Sequence, residues 1–243
     1  MGLFELLLEA ASNFPFIGYI RTTFPNPTMG PGGLEIGTGT LIAPRLVLTA
    51  GHIVFDPDQG GQAVSIDLTF GGPQGRQFRG LTEVDFPVEW RQPRDQVDSS
   101  LVSPVDIAVI ILPQAIDAFI KPIQFQTASD TMLAGKLMNI AGFPAVPPDG
   151  SARGSLWGTN SNLLLGNSLD EDLQKYSKWR LFYPVRTRGG LSGAPVYDVD
   201  PVSRTRTIYG VHSSFLNGVG GSALRITEGI FHLLQEWVTT FRP

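Results

Sequence analysis

The chain has 243 residues, 42% of them hydrophobic and 16% charged, with a formal net charge of −4 and no cysteine. This length allows one large domain or two small ones, each with a substantial hydrophobic core. The charge balance and the lack of a lysine or arginine block argue against nucleic-acid binding, and the lack of cysteine excludes disulfides and cysteine-bound metal. The 28 glycines and 19 prolines favour short strands joined by turns over long helices.

The first residues predict a short amphipathic helix over residues 1–13, because apolar side chains recur at helical spacing before Pro15. The apolar positions are Leu3, Phe4, Leu7, Leu8 and Ala11. The region lacks the positive leader of a signal peptide, and no run reaches the roughly 18 apolar residues that a membrane span requires. We therefore expect a cytoplasmic protein, or a secreted one from which a leader has been removed, with no membrane partner.

Two series of short strand-like segments follow, separated by a connection between Pro113 and Pro122. The first series comprises Phe16–Thr23, Thr38–Ile42, Arg45–Thr49, Val64–Phe70 and Asp106–Leu112. The second comprises Leu137–Phe143, Leu181–Val185, Ala194–Val199, Thr205–His212 and Ser222–Ile226. Frequent short strands with glycine and proline turns between them are typical of a sandwich or barrel.

The chain closes with a predicted helix whose N-cap is Thr227. Its apolar face consists of Ile230, Leu234, Trp237 and Phe241. We predict an all-β fold of two antiparallel β-barrels, with the N-terminal helix at residues 1–13, the barrels at residues 14–115 and 116–227, and the C-terminal helix at residues 228–243.

A serine lies between glycines in the segment RGGLSGAP, residues 188–195. Glycine adopts backbone conformations that other residues resist, so such a loop can direct several N–H groups to one point. Donors arranged this way form an oxyanion hole, which stabilises negative charge in a transition state. We predict Ser192 as a nucleophile, with the N–H groups of Gly190 and Ser192 as the oxyanion hole. Taken alone, the segment is also typical of a glycine-rich hairpin turn.

A serine nucleophile needs a base within hydrogen-bond reach, and histidine is the usual one because its pKa is near neutrality. His52 ends a strand-like segment, and Asp106 begins a strongly apolar one. A buried carboxylate needs a partner, and a histidine base needs an acceptor that fixes its tautomer. We therefore predict that Asp106 orients His52. Considered singly, each could instead be structural, as a histidine at a strand end or an aspartate that caps a strand at the surface.

The chain order His52, Asp106, Ser192 is that of chymotrypsin-type enzymes, whereas subtilisins and α/β-hydrolases have other orders. The surrounding segments resemble the three motifs of chymotrypsin-like (trypsin-like) serine endopeptidases, namely TAGH (residues 49–52), DIAV (106–109) and GLSGAP (190–195). The resemblance runs from about Ile36 to the end of the sequence and is strongest to the bacterial glutamyl endopeptidase branch. The segments that carry this second likeness are AGFP (141–144), LWG (156–158), TRGGLSG (187–193) and YGVH (209–212).

The resemblance implies a double β-barrel with its active site in the cleft between the barrels. It also implies that Thr187 and His212 bind an acidic side chain before the scissile bond, and that the strand containing Ser213 pairs with the substrate backbone. A hydroxyl and an imidazole supply the hydrogen-bond donors that an entering carboxylate demands. A plain strand threonine and a core histidine remain alternatives for these two positions. One departure is Leu191, which stands where many relatives have an acid that a newly cleaved N-terminus neutralises, so that activation switch cannot operate here.

We thus expect a serine endopeptidase that acts on protein or peptide substrates, cleaves after Glu or Asp, and requires no cofactor or metal. A regulatory protein partner is a further open expectation. The alternative from another class is a catalytically inactive binding module that keeps the double barrel. A metallohydrolase is weaker still, because the three histidines form no short ligand motif.

Overall fold

The computed structural model describes residues 3–26, 34–71, 75–91, 103–116, 120–151 and 153–241. Residues 1–2 and 242–243 of the predicted helices and residues 117–119 of the predicted connection lie outside these ranges. The strands are, in chain order, β1 (Leu7–Glu9), β2 (Ile17–Thr23), β3 (Glu35–Ala43), β4 (Leu46–Thr49), β5 (Phe55–Asp56), β6 (Gly61–Gln62), β7 (Ser65–Phe70), β8 (Gln77–Leu81), β9 (Val84–Asp85), β10 (Ala108–Ile111), β11 (Gln124–Phe125), β12 (Leu137–Gly142), β13 (Leu156–Asn162), β14 (Arg180–Tyr183), β15 (Pro195–Val199), β16 (Arg206–Leu216) and β17 (Gly220–Arg225). The α-helices are α1 (Asp130–Leu133), α2 (Glu171–Gln174) and α3 (Glu228–Thr240).

Most of these strands belong to two large sheets. The first sheet has the order β8-β7-β2-β3-β4-β10-β9, and the second has the order β1-β13-β12-β15-β16-β17-β14 with β11 beside β16. Among the described pairings of named strands, all are antiparallel except that of β11 with β16. The predicted all-β fold class is therefore confirmed.

Side-chain patterning explains why the strands could be located. β7 alternates between partly exposed and buried positions, with Ile66, Leu68 and Phe70 inside. Such alternation with a period of two is expected of a strand with one solvated face. β4 and β10 are buried along their whole length and are almost entirely aliphatic, as expected of interior strands of the first sheet. Each of the ten predicted segments overlaps an observed strand.

The predicted N-terminal helix is wrong. Residues 7–9 form β1, which pairs with β13, and a short 3-10 turn follows at Ala11–Asn13. Leu7 and Leu8 of the predicted apolar face are 64% and 59% exposed, whereas Leu6, which lies outside that face, is buried. The N–H of Phe4 donates to Pro184 O at 2.7 Å, and the N–H of Arg186 donates to Phe4 O at 2.8 Å. A short isolated helix is only marginally stable in water. Pairing with the edge of a sheet instead gives the backbone N–H and C=O groups of this segment hydrogen-bond partners.

The predicted C-terminal helix is confirmed. The hydroxyl of Thr227 accepts a hydrogen bond from the N–H of Ile230, as expected of an N-cap. Ile230, Leu234 and Trp237 are buried, and the indole N–H of Trp237 donates to Asp85 Oδ2 at 2.9 Å. The helix is thereby attached to β9 at the edge of the first sheet. None of the described helices is long and apolar enough to cross a membrane.

The attachment of α3 can be tested with Trp237→Ala. Trp237 is 3% exposed, and truncating a buried aromatic side chain costs about 3–5 kcal/mol because it removes apolar contacts and leaves a cavity. We expect a loss of that size in the free energy of unfolding measured by urea titration. Glu236→Ala, at the neighbouring exposed position of the same helix, should change it by no more than about 0.5 kcal/mol. Equal losses from both variants would contradict this account.

Candidate active site

His52 and Asp106 meet at one end of the strand pair β4 and β10 of the first sheet. Thr49 of β4 is paired with Ala108 of β10 in antiparallel register, so the residues after Thr49 and before Ala108 lie at the same end. His52 lies in the 3-10 turn Gly51–Ile53 that follows β4. Its Nδ1 lies 3.0 Å from Asp106 Oδ2 and 3.2 Å from Oδ1, and its backbone N–H donates to Oδ1 at 3.0 Å.

The carboxylate of Asp106 is fully buried, whereas the side chain of His52 is 17% exposed. Burial alone would raise the pKa of Asp106, but the charge and hydrogen bonds of His52 and the charge of Arg180 lower it to about 2. Asp106 is therefore ionised at neutral pH. An ionised acceptor fixes the Nδ1–H tautomer of His52, so that Nε2 is the ring nitrogen that can take up a proton.

The glycine-rich serine loop lies between β14 and β15 and requires glycine at two positions. Gly190 has φ +95°, and a Cβ there would lie 2.4 Å from both Ala145 N and Phe143 O. Gly193 has φ +88°, and a Cβ there would lie 2.0 Å from Thr38 O. Left-handed backbone and such close approach exclude any other residue without rearrangement.

Thr38 of β3 fastens this loop to the first sheet. Its N–H donates to Ser192 O at 2.8 Å, and its hydroxyl donates to Gly190 O at 2.9 Å. Its own carbonyl accepts the hydroxyl of Thr49, three residues before His52, at 2.9 Å. The loop that carries Ser192 is thus bonded to the two strands that lead to His52.

Four N–H groups of the loop have no acceptor among the described residues, those of Arg188, Gly189, Gly190 and Ser192. Arg188 and Gly189 are exposed, whereas Gly190 is buried and Ser192 is half-buried. Leu191, Gly193 and Ala194 donate to the carbonyls of Arg188, His212 and Leu191, respectively. Within the part of the chain that the structure describes, nothing accepts the N–H of Gly190 or Ser192. Backbone N–H groups are normally paired when they are not solvated, so this pair is available to an oxygen atom of a ligand.

The residues predicted to bind substrate are all buried. Thr187 is 4% exposed, His212 is 3% exposed and Ser213 is 5% exposed. The hydroxyl of Thr187 has no hydrogen-bond partner among the described residues. Ser213 lies on β16 at an irregularity in its pairing with β17, and its hydroxyl accepts a hydrogen bond from Arg180 at 2.9 Å.

His212 is held as a neutral imidazole. Its Nδ1 lies 2.5 Å from the hydroxyl of Tyr183, and burial raises the pKa of Tyr183 far above its ordinary value, so the phenol stays protonated and donates. Burial and the charges of Arg180 and His52 lower the pKa of His212 to about 3, against the opposing effect of a hydrogen bond to the backbone of Ser222. At neutral pH the ring can donate a hydrogen bond but carries no charge.

Sequence reasoning missed the contributions of Thr38 and Tyr183 to this site, and it noted Arg180 only as one of five nearby arginines that could favour an acidic substrate if they face the cleft. Thr38 contacts a residue 152 positions away, and no local pattern indicates such a contact. Tyr183 lies inside the predicted strand Leu181–Val185, where an aromatic side chain indicates packing and not function, and Arg180 lies just before it. Within the described ranges, no group of three or more acidic or histidine residues could hold a metal ion.

Comparisons with known proteins agree with this geometry. Two sheets with a His–Asp pair on the first and a glycine-rich serine loop on the second, bonded to each other through Thr38, are typical of two-barrel serine peptidases. Residues 37–201, more than half of the chain, match the trypsin-like peptidase domain. The chain belongs to that family.

Two relatives carry the glutamyl endopeptidase name. The curated glutamyl endopeptidase of Bacillus licheniformis is 26% identical over 213 residues, which cover 82% of this chain and 58% of that protein. The solved structure of a Glu endopeptidase in complex with MPD has a TM-score of 0.71 and 20% identity over 98% of each chain. A scabies mite inactivated protease paralogue has a TM-score of 0.67 and 16% identity over the full length of both chains. The shared fold therefore does not by itself establish catalysis.

The two adjacent glycines of the loop provide a test of its geometry. Gly190→Ala should destabilise the protein by about 1–3 kcal/mol, since its Cβ would collide with backbone atoms at a position with φ +95°. A Cβ at Gly189 would meet nothing within 4 Å, so Gly189→Ala should change the free energy of unfolding by less than about 0.5 kcal/mol. Thermal or urea denaturation of both variants checks this, and a stable Gly190→Ala protein would refute the described loop.

Proposed function

We propose that the protein is a serine endopeptidase that hydrolyses peptide bonds through an acyl-enzyme at Ser192 and prefers an acidic residue before the scissile bond. The observation that carries the proposal is the serine loop bonded to Thr38 of the first sheet, with the N–H groups of Gly190 and Ser192 lacking an acceptor among the described residues. Membership of the trypsin-like peptidase family supports it.

The chemistry follows from the groups present. His52 Nε2 takes the proton of the Ser192 hydroxyl as Oγ attacks the peptide carbonyl carbon, and ionised Asp106 stabilises the imidazolium that forms. The N–H groups of Gly190 and Ser192 stabilise the negative charge on the carbonyl oxygen. The imidazolium then gives its proton to the leaving amine, and the C–N bond breaks. Water, deprotonated by His52, releases the acyl group by the same steps in reverse.

The acidic preference is supported by the state of two buried side chains. A hydroxyl buried without a partner is costly, so the unpaired hydroxyl of Thr187 favours a ligand that accepts a hydrogen bond. His212, neutral and fixed by Tyr183, adds a ring N–H, which the entering carboxylate would take over from the backbone of Ser222. The names of two relatives, a glutamyl endopeptidase and a Glu endopeptidase, support the proposal of an acidic preference.

The nucleophile is tested by Ser192→Ala. We expect turnover of a peptide substrate to fall on the order of 10⁶-fold, the usual cost of removing such a nucleophile, with the free energy of unfolding nearly unchanged. Single-turnover kinetics and labelling of the parent chain at Ser192 by a fluorophosphonate provide the measurement. Comparable rates in both proteins would rule out Ser192 as the nucleophile. A parent chain that neither cleaves peptides nor reacts with the fluorophosphonate would favour the inactive binding module.

The acidic preference is tested by Thr187→Val, which keeps the shape of the side chain but removes its hydroxyl. A hydrogen bond to a charged group contributes about 1.5–3 kcal/mol, so kcat/KM for a peptide with Glu before the cut should fall roughly ten- to hundredfold. The matched control is Thr22→Val, which removes another buried hydroxyl without a partner among the described residues but lies on β2. It should leave kcat/KM unchanged. A Thr187→Val enzyme with full activity toward Glu peptides would exclude this role.

A further inference from the structure

A cleft of about 220 Å³ lies on the solvated face of the first sheet, and the charged part of its lining is mostly basic. Tyr19 and Arg21 of β2, Asp67 of β7 and Arg79 of β8 line it, and Arg153 reaches it from the segment between β12 and β13. Three positive side chains and one negative side chain give this basic cleft a net charge of +2, although the whole chain carries −4. Such a local excess of positive charge attracts anions.

The positive charge of the basic cleft is available to a ligand. Within the described ranges, none of its three arginines forms an ion pair, and all three are exposed. Asp67 lies opposite Arg21 in the pairing of β7 with β2, but its Oδ1 accepts the N–H of Gly80 at 3.1 Å. Nη2 of Arg79 donates to the neutral amide oxygen of Gln77 at 3.1 Å.

Tyr19 adds a hydrogen-bond donor between two of these arginines. Burial raises the pKa of Tyr19, while the charges of Arg21 and Arg153 act in the opposite direction. The phenol is therefore protonated at neutral pH and lies close to both guanidinium groups. Guanidinium N–H groups and a phenol O–H are all donors that a carboxylate can accept.

The basic cleft lies close to the serine loop. Tyr19 is paired with Thr38 in the register of β2 with β3, and the N–H of Thr38 donates to Ser192 O at 2.8 Å. The ring of Tyr19 also packs against that of Phe143, with centroids 5.5 Å apart, and the N–H of Phe143 donates to the hydroxyl of Thr38 at 3.0 Å. One strand pairing and one ring contact thus connect the basic cleft to the loop that carries Ser192.

The distance from Ser192 to the basic cleft can be bounded from the strand geometry. Paired Cα atoms of antiparallel strands lie about 5 Å apart, and two residues along a strand span about 7 Å. Arg21, two residues beyond Tyr19, therefore lies on the order of 10–15 Å from Ser192. Because an extended peptide advances about 3.3–3.6 Å per residue, about three to five residues of substrate reach from the serine to the basic cleft.

The peptide bond between Ser192 and Gly193 shows on which side of the serine the basic cleft lies. Its C=O accepts the N–H of Thr38, and its N–H donates to His212 O, each at 2.8 Å. This bond is trans, so its C=O and N–H point in opposite directions. The pocket residue His212 and the strand that borders the basic cleft therefore lie on opposite sides of it. If the residue before the scissile bond lies at His212, the residues after that bond run toward Thr38 and the basic cleft.

We propose that the basic cleft is a second carboxylate-binding site, which holds an acidic side chain of the substrate about three to five residues after the scissile bond. The inference rests on the proposed peptidase function and extends it to the leaving-group side. Exposed ion pairs are individually weak, so a free carboxylate would be held only loosely by these arginines. A side chain on a substrate already bound at Ser192 is present at a high effective concentration, which makes the same contacts sufficient.

The first experiment uses peptides with Glu before the scissile bond and either Glu or Gln at one position, from about two to six residues after it. With the parent enzyme, kcat/KM should be roughly three- to thirtyfold higher for Glu than for Gln at one of the positions about three to five residues after the bond, as expected of two exposed ion pairs. Arg21→Gln/Arg153→Gln should bring this ratio close to one and leave kcat/KM for the Gln peptide unchanged. A ratio that survives in this variant overturns the inference.

The matched control is Arg91→Gln/Arg204→Gln, which removes the same number of charges. Both arginines are exposed, and neither lines the basic cleft, so the ratio should equal that of the parent. An equal loss in the control would assign the preference to overall charge and overturn the inference. A parent enzyme that cleaves after Glu but shows no acidic preference beyond the bond would overturn the inference alone. A parent chain that cleaves no peptide would overturn the proposed function, and the basic cleft as a substrate site with it.

The second experiment uses the unmodified protein and therefore does not depend on how the variants fold. Raising the ionic strength from about 0.1 M to about 1 M shortens the Debye length from about 10 Å to about 3 Å. Because the arginines of the basic cleft are exposed, the Glu:Gln ratio at the preferred position should fall toward one. A ratio that is unchanged at high salt would contradict an electrostatic origin and overturn the inference.

Discussion

The carboxylate of Asp106 is fully buried. The groups around it offset the free-energy cost of removing this charge from water. An isolated buried charge is costly, and breaking a buried pair by removing one partner typically costs about 3–5 kcal/mol. Three contacts from His52 and the nearby charge of Arg180 offset this cost. The register of β4 with β10 and the 3-10 turn after β4 together bring His52 to Asp106.

A second constraint is the attachment of the two sheets to each other. Thr38 of the first sheet provides it, because its N–H and its hydroxyl both donate to the serine loop, and its hydroxyl also accepts the N–H of Phe143. Gly190 and Gly193 allow the loop to approach this closely. N–H donors fixed before substrate arrives need no reorganisation during reaction. The hydrogen bonds of Thr38 therefore hold the two sheets together and also fix the geometry of the serine loop.

The sequence allowed prediction of what depends on local pattern and chain order. The alternation in β7 and the N-cap at Thr227 are local, and the order of His52, Asp106 and Ser192 narrows the class of protein. Prediction failed at the N-terminus, where the apolar spacing was helical but the edge of β13 offered backbone partners. β13 itself was missed because its sequence, LWGTNSN, is mostly polar. Thr38 and Tyr183 could not be assigned, since their partners are distant in sequence.

The N-terminal segment has a structural consequence beyond its own stability. β1 covers the outer edge of β13, while Phe4 is bonded to the chain just after β14, at the opposite end of the same sheet. Residues 4–9 thus close the ring of strands, two residues before Thr187. Without this segment, the edge of β13 and the chain just after β14 would both be left unpaired. An unpaired strand edge is a template on which another chain can pair, so the segment also protects the sheet from association.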